Sequence, residues 1–334
     1  MIRSEGSARP IARRFALGIA GSLALTGRAR PDAAEAEWPA RAVRYIDPFS
    51  AMGATDLLSR LFCAKMSELA GQRFLVENVA GAGGTLGQTA IARAAPDGHT
   101  LGLGSIASLA VAPSVHPTLP YDPARDFTFV SGLWRVPNVL ICDRNLQVRS
   151  VPELVTLLKR SPGRYAYASA EPGTTPHLAM ELFKRLAGVE IAPVPDRSGA
   201  AAILDLLQGR LHLMVHNLPT AIVGVREREV RALAVTGAER SPAMPEVPAM
   251  AEFYPEFEVA SWGGLVGPAG LPPQVVERLS RLTRQALDSP DLVEAFQGLG
   301  AAPWWTTPAD FAGFRARQEA LFGGLVAASA AAVE

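Results

Sequence analysis

Cysteine is nearly absent from this chain of 334 residues, with Cys63 and Cys142 the only two. Two thiols cannot build a disulfide framework. Cys63 falls on an expected helix and Cys142 on an expected strand, where each reads as a small buried hydrophobe. An excess of one charge is missing too, since 32 Lys and Arg balance 32 Asp and Glu. No basic stripe occurs, so no nucleic-acid partner is expected. Hydrophobic residues make up 49% and charged ones 19%, a composition for a buried core and not for a disordered chain. Internal repeats and low-complexity linkers are absent. No run beyond the N-terminus is apolar enough to span a bilayer, so a soluble mature protein is expected.

Cofactor and catalytic signatures are lacking as well. In Gly81-Ala82-Gly83-Gly84-Thr85-Leu86-Gly87, Leu86 stands where a dinucleotide fingerprint needs its last glycine, and no Lys-Ser/Thr pair follows. The stretch reads as a tight turn needing positive φ, or as backbone N–H groups exposed to a small anion. No cofactor is expected. Gly102-Leu103-Gly104-Ser105 does not have the spacing of a nucleophile elbow. With no nucleophile, base and orienter in order, a hydrolase-type enzyme is the weaker alternative and no catalytic residue is assigned. His212 and His216 are four apart, but their segment reads as a strand and no third ligand accompanies them, so no metal is expected. His216, at the strand end, is expected to face a cleft, His212 to be structural, and His99 and His116 to lie in surface turns.

What is present begins at the N-terminus. Arg3, Arg9, Arg13 and Arg14 precede a short apolar run over 15–26, followed by Ala34-Glu35-Ala36, a small-x-small cleavage site. That is the layout of an export signal over 1–36, which predicts a periplasmic protein. Arg13-Arg14-Phe15 keeps twin-arginine export as an alternative to the general secretory route.

After residue 37, strands and helices alternate. Strands are expected at 42–47, 74–77, 100–104, 139–142, 165–169, 191–195, 211–215, 231–236 and 258–262. Amphipathic helices fall between most of them, two more follow at 273–288 and 308–327, and 105–131 reads as a Pro-punctuated connection. The pattern predicts an α/β fold of two units, each a mainly parallel sheet flanked by helices. The second unit, 139–258, is inserted in the first, 37–138 with 259–334.

Several strand-to-helix junctions suit an anion, because a helix N-terminus presents free N–H groups and the positive end of its dipole. The first holds Phe49, Ser50, Met52, Gly53, Ala54, Thr55 and Asp56. Ser105 and Ser108 follow the strand at 100–104 and read as hydrogen-bond donors. Ser169 precedes Gly173, Thr174 and Thr175. His177 opens the next helix, where it can face a ligand or simply cap. A third junction holds Asp196, Arg197, Gly199 and Ala200; Arg197 can pair with a carboxylate or form an exposed ion pair.

These motifs in order are familiar. Trp38-Pro39, Pro48-Phe49 with Gly53-Ala54-Thr55-Asp56, Val76-Glu77-Asn78 before Gly81-Ala82-Gly83-Gly84, and Ala95-Pro96-Asp97-Gly98-His99 come first. Leu119-Pro120-Tyr121-Asp122-Pro123, Pro137-Asn138-Val139-Leu140, Asn217-Leu218-Pro219 and Pro245-Glu246-Val247-Pro248 follow. Over essentially the whole chain after the signal, the sequence resembles the Bug (Bordetella uptake gene product) family. These are TctC-like extracytoplasmic solute receptors related to tripartite tricarboxylate transporters.

The resemblance implies a two-domain periplasmic-binding-protein fold of the Venus flytrap kind. It implies a monomer that captures a small carboxylate between its lobes for membrane permease subunits; a sensing subunit for a signalling partner is the alternative. The first lobe is expected to grip the carboxylate with 49–56 and with Ser105 and Ser108. The second is expected to close with Ser169, 173–175, 196–201 and His216. Two departures stand out. Relatives usually carry Pro-Pro-Gly where this chain has Ser50-Ala51-Met52, and an Asp where it has His216. Because that Asp can hold a ligand ammonium and a neutral histidine cannot, an amino-acid ligand is not expected. Met52 and His216 suggest an aromatic or bulkier carboxylate.

Overall fold

A computed structural model describes residues 38–116, 118–170, 173–195 and 199–331. The expected export signal lies outside them. Strand β1 (Val43–Asp47) alternates only at its start and is otherwise buried, as a central strand requires. Helix α1 (Ala54–Ala70) follows and ends at Gly71, whose φ of 69° is the left-handed C-terminal stop. Next come β2 (Phe74–Asn78), a 3-10 turn at Ala82–Gly84, α2 (Thr85–Ala92) and β3 (Thr100–Ser105). A π-helical turn, Ala107–Val111, leads into the short α3 (Ala112–Val115) and the long β4 (Phe127–Asp143).

The central part continues with α4 (Val151–Arg160), β5 (Ala166–Ser169), α5 (Thr175–Ala187), β6 (Ala192–Pro195) and α6 (Gly199–Leu207). It closes with β7 (Leu213–Asn217), α7 (Leu218–Arg226) and β8 (Val230–Val235). The chain then returns through β9 (Ala260–Pro268), α8 (Pro273–Leu287), α9 (Pro290–Gly298), β10 (Ala302–Pro303) and α10 (Pro308–Ala331).

The strand order is β2-β1-β3-β9-β4-β7-β5-β6, with β10 and β8 also paired to β4. At one edge β2, β1 and β3 are parallel, and at the other β6, β5 and β7 are parallel, as crossover helices dictate. Antiparallel pairing enters through β9, which returns from the far end of the chain, and through β4. Strand β4 belongs to both sheets. Its residues from Phe127 to Pro137 pair with β9, and those from Asn138 onward pair with β7 and β8. Pro137, which has no N–H to offer, stands where the strand changes partners.

Several features depart from expectation. The region 105–131, read as an irregular connection, contains the π-helical turn, α3 and the start of β4, which runs on unbroken into the expected strand at 139–142; Gly132 and the exposed Arg135 blur the alternation between them. Helices α7 and α9 were not expected, and each carries a proline near its start, Pro219 and Pro290. Both sit in a helix's first turn, where the missing N–H has no partner to lose. His99 is not a surface turn residue. Its side chain is only 12% exposed and its ring lies 6.4 Å from that of Trp38. Cys63 and Cys142 are free and buried.

Candidate functional site

The site grows from the end of β1. Asp47 is fully buried and accepts three hydrogen bonds: Phe49 N–H at 3.0 Å and the Thr55 hydroxyl at 3.1 Å on Oδ1, and the Ser59 hydroxyl at 2.9 Å on Oδ2. Burial pushes its carboxyl up to about 6, and the three donors limit the rise. A second carboxylate pins the far side of the loop. Asp56 Oδ2 accepts Met52 N–H at 2.9 Å, while Asn78 Nδ2 donates to Asp56 Oδ1 and to the Phe49 carbonyl. Burial alone would raise Asp56; Arg60, Met52 N–H and Asn78 outweigh it and hold the carboxyl below its ordinary range. Met52, 83% exposed, has φ of 63°, the left-handed region that favours glycine.

Helix α1 begins at Gly53 without a side-chain cap. Its first-turn N–H groups therefore reach the cleft unblocked by their own chain. The glycine-rich turn supports this loop from behind. A Cβ on Gly87 would lie 2.6 Å from Pro48 Cα, and one on Gly84 would meet the Phe49 ring at 3.3 Å while φ there is 93°. Close approach and positive φ together account for these glycines.

At the end of β3, Ser105 and Ser108 bond to each other, Oγ to Oγ at 2.9 Å. Gln88 Nε2 donates to Ser108 Oγ at 3.0 Å, and Tyr121 donates to the Ser108 carbonyl at 2.6 Å. Ser108 is thus a fully buried brace, and Ser105 is the member that reaches the cavity.

The opposing wall is organised by Asn138, the first residue of β4 beyond the partner change. Its Oδ1 accepts Asn217 Nδ2 at 2.7 Å and the Thr175 hydroxyl at 3.2 Å. Thr175 also bonds closely to Ser261 on β9, which accepts Asn217 Nδ2 at 2.8 Å. Four polar side chains from β4, α5, β7 and β9 thereby lock the N-termini of α5 and α7 against the crossing strands. Neither N-cap side chain, Thr174 or Asn217, caps its own helix.

Between these walls lies a cavity of about 270 Å³. Phe49, Ser50, Met52, Gly53, Ala54 and Thr55 line it from the first loop, with Ser105, Thr174, Thr175 and His216. Five expected site residues stand back from it. Asp56 and Ser108 brace the lining. Ser169 is replaced at the surface by the next residue, Ala170. Gly173 packs toward Val111 and Val115, and His177 is a half-buried side chain near Glu181, its pKa lowered by burial. Asp196 and Arg197 lie outside the described residues; Gly199 and Ala200 open α6. The sequence reading missed Trp134, Trp262, Met214, Asn217, Thr220 and Ser261, all of which line the cavity. The tryptophans and Met214 sit on β4, β9 and β7, where sequence pattern alone does not tell core from cavity wall; Asn217 was noticed only as part of a family motif.

Among the described lining residues none is Lys, Arg, Asp or Glu. His216 is the one titratable imidazole, and its Nδ1 accepts the Asn217 N–H at 3.0 Å. The ring proton therefore sits on Nε2. Burial lowers the His216 pKa to about 4, so the ring is neutral. His212, by contrast, accepts Ala166 N–H and stacks edge-on with Tyr165, a structural role. No cluster of three or more metal-ligating side chains occurs among the described residues. Ser105 pairs with a serine and not with a base. The arrangement can hold an oxyanion with N–H and hydroxyl donors.

Residues 58–329 match the family described as the tripartite tricarboxylate transporter family receptor, TctC. The chain is similar to the protein BugT of Bordetella pertussis, 37% identical over 306 residues that cover 91% of this chain and 94% of that one. It is similar to the solved structure of R. palustris Rpa4515 with adipate, with a TM-score of 0.84, 36% identity, and coverage of 88% and 99%. It is also similar to MatC of Rhodopseudomonas palustris with bound malate, with a TM-score of 0.79, 31% identity, and coverage of 86% and 100%. This chain shares the mixed α/β fold of these solved structures.

Proposed function

The chain belongs to the tripartite tricarboxylate transporter receptor family, and from that premise we propose that it captures a carboxylate-containing solute in the cavity between its two sheets. It is a solute receptor of the Bug and TctC type. The observation that carries the assignment is the cavity's chemistry. Three helix N-termini without side-chain caps, those of α1, α5 and α7, contribute lining residues to a pocket with no Lys, Arg, Asp or Glu among its described lining residues. Such a pocket stabilises a carboxylate through oriented N–H groups and helix dipoles. The adipate and malate seen with relatives are carboxylates of the size this cavity accommodates.

The finer reading has three parts. Two lobes, 37–138 with 259–334 and 139–258, close on the solute; the partner change of β4 at Pro137 and Asn138 supports that division. An N-terminal signal over 1–36 exports the protein to the periplasm, where members of this family act, and among the described residues no helix is long and apolar enough to cross a membrane. The closed form then hands its solute to membrane permease subunits. An affinity near ~1 μM, about 8 kcal/mol, suits capture from dilute solution.

A thermal-shift screen of the exported protein against mono-, di- and tricarboxylates and aromatic acids tests this reading. The melting temperature rises with ligand concentration, by the equivalent of about 2.7 kcal/mol at 100-fold excess over Kd. A shift with amines or sugars and with no carboxylate would overturn it.

A further inference from the structure

The chain has seven methionines, and Met1 falls in the expected export signal. Of the six described, Met66, Met180, Met214, Met244 and Met250 are at most 3% exposed. Met52 is 83% exposed, more than any other large hydrophobic side chain among the described residues. It also lines the cavity, so it stands at the cavity's solvent edge.

The backbone fixes it there. Met52 N–H donates to Asp56 Oδ2 at 2.9 Å, and Asp56 is itself held by Arg60 and Asn78. With φ at 63°, the residue completes a turn that it cannot leave without undoing the first loop. A position whose backbone favours glycine thus carries a long, polarizable thioether in open solvent.

Oxidation of a thioether by a peroxide selects by access to the sulfur. A sulfur lone pair attacks one peroxide oxygen, the S–O bond forms as the O–O bond breaks, and the other oxygen leaves as water. The sulfur loses two electrons and the peroxide gains them. Packing shields the five buried sulfurs from this attack and leaves Met52 open to it.

We propose that Met52 is a sulfoxidation site, at which a peroxide lowers the protein's capture of its solute. The sulfoxide oxygen accepts hydrogen bonds, donates none and bears partial negative charge. At the edge of a cavity that holds a carboxylate, it opposes the ligand's own oxygens and must shed water as the site closes. Because the side chain is so exposed, its oxidation leaves folding stability near the starting value. The effect on capture rests on the carboxylate-receptor reading; the selectivity of the oxidation does not.

Peptide mass mapping of the exported protein after brief treatment with hydrogen peroxide, ended with catalase, tests the site. Met52 is oxidised at least about tenfold faster than any of the five buried methionines. Calorimetric titration with adipate, malate, citrate and benzoate, before and after treatment, tests the effect. For the tightest-binding of the four, Kd rises at least about threefold on oxidation. Reduction by methionine sulfoxide reductases with dithiothreitol restores it. Met52→Leu, which has no sulfur at this position, shows the same Kd before and after peroxide. Equal melting temperatures of treated and untreated wild type, without ligand, show that the loss is not unfolding. The inference is overturned if a buried methionine is oxidised as fast as Met52, if oxidised wild type keeps its Kd, or if treated Met52→Leu loses as much affinity as wild type. If none of the four acids binds untreated protein, the carboxylate-receptor reading falls and takes the effect on capture with it, while the mass map alone decides whether Met52 is the oxidation site.

Discussion

The Thr55 hydroxyl donates to Asp47 Oδ1 at 3.1 Å. A side chain at the cavity wall therefore has its proton committed to the strand beneath it. What Thr55 can offer a carboxylate comes from its backbone, and its hydroxyl serves the loop.

Replacing Thr55 by Val removes one of three donors from a fully buried carboxylate. The loss is about 1–3 kcal/mol of folding stability. Thr55→Ser keeps the hydroxyl and stays near wild type. Urea unfolding separates the two; equal stability of the Val and Ser variants would show that the Asp47 contact carries no weight.

Asp47 also makes stability depend on pH. Its folded pKa of about 6 lies above the ordinary 3.8, so between these values the folded chain holds a proton that the unfolded chain has lost. Stability from this group is present at low pH and is lost as pH rises toward 6, by about 3 kcal/mol. Asp56 has the opposite sign: its depressed carboxyl contributes stability above the ordinary range and loses it in more acid solution, so the two windows separate. Unfolding free energies of wild type and Asp47→Asn at pH 4.5 to 7 test this. The variant gains relative to wild type as pH rises, and a constant difference across that range contradicts the assignment.

Met52 holds a left-handed backbone that a glycine adopts without strain. Met52→Gly relieves about 1–2 kcal/mol of strain and gives back part of it through the entropy of the unfolded chain, for a net gain of up to about 1 kcal/mol. Met52→Val, branched at Cβ, is less stable than wild type. Thermal unfolding ranks the three proteins, and the order Gly, Met, Val is the expected one.

Gly264 on β9 faces Phe311, and a Cβ there would collide with the ring's Cζ. Phe311 is fully buried among Phe129, Trp262 and Trp304, so it has nowhere to move. Gly264→Ala costs about 1–3 kcal/mol or more. Because β9 carries Trp262 at the cavity, the change also alters tryptophan fluorescence. An unchanged melting temperature would mean that the aromatic cluster yields.

The first loop was legible because its signals are local. An apolar run, small residues and an amphipathic helix in succession identify a strand, a turn and a helix N-terminus before any tertiary contact is known. Thr174, Thr175 and His216 were legible for the same reason, since each ends or begins an element. Asp47 was not singled out, because a single carboxylate at a strand end says nothing until the fold buries it and places Ser59, Thr55 and Phe49 N–H around it. Trp134 and Trp262 sit on β4 and β9, where sequence pattern alone does not tell core from cavity wall. Helices α7 and α9 were not expected, and each carries a proline whose effect depends on position within the helix.

By itself the sequence determined the alternation of strands and helices, the small-residue junctions, the lack of catalytic and cofactor signatures, and the family. Periodicity, turn chemistry and motif order are properties of neighbouring residues, and they survive without a fold. Tertiary structure decided which junctions face one another. Asp56 and Ser108, expected at the ligand, became braces because hydrogen-bond partners from other elements reached them first. His216 became a neutral donor because burial and the Asn217 N–H fixed its proton on Nε2. Long-range packing alone can set a dielectric and a hydrogen-bond partner, and those two quantities decide what a side chain at the first loop or at the β7–α7 turn offers a ligand.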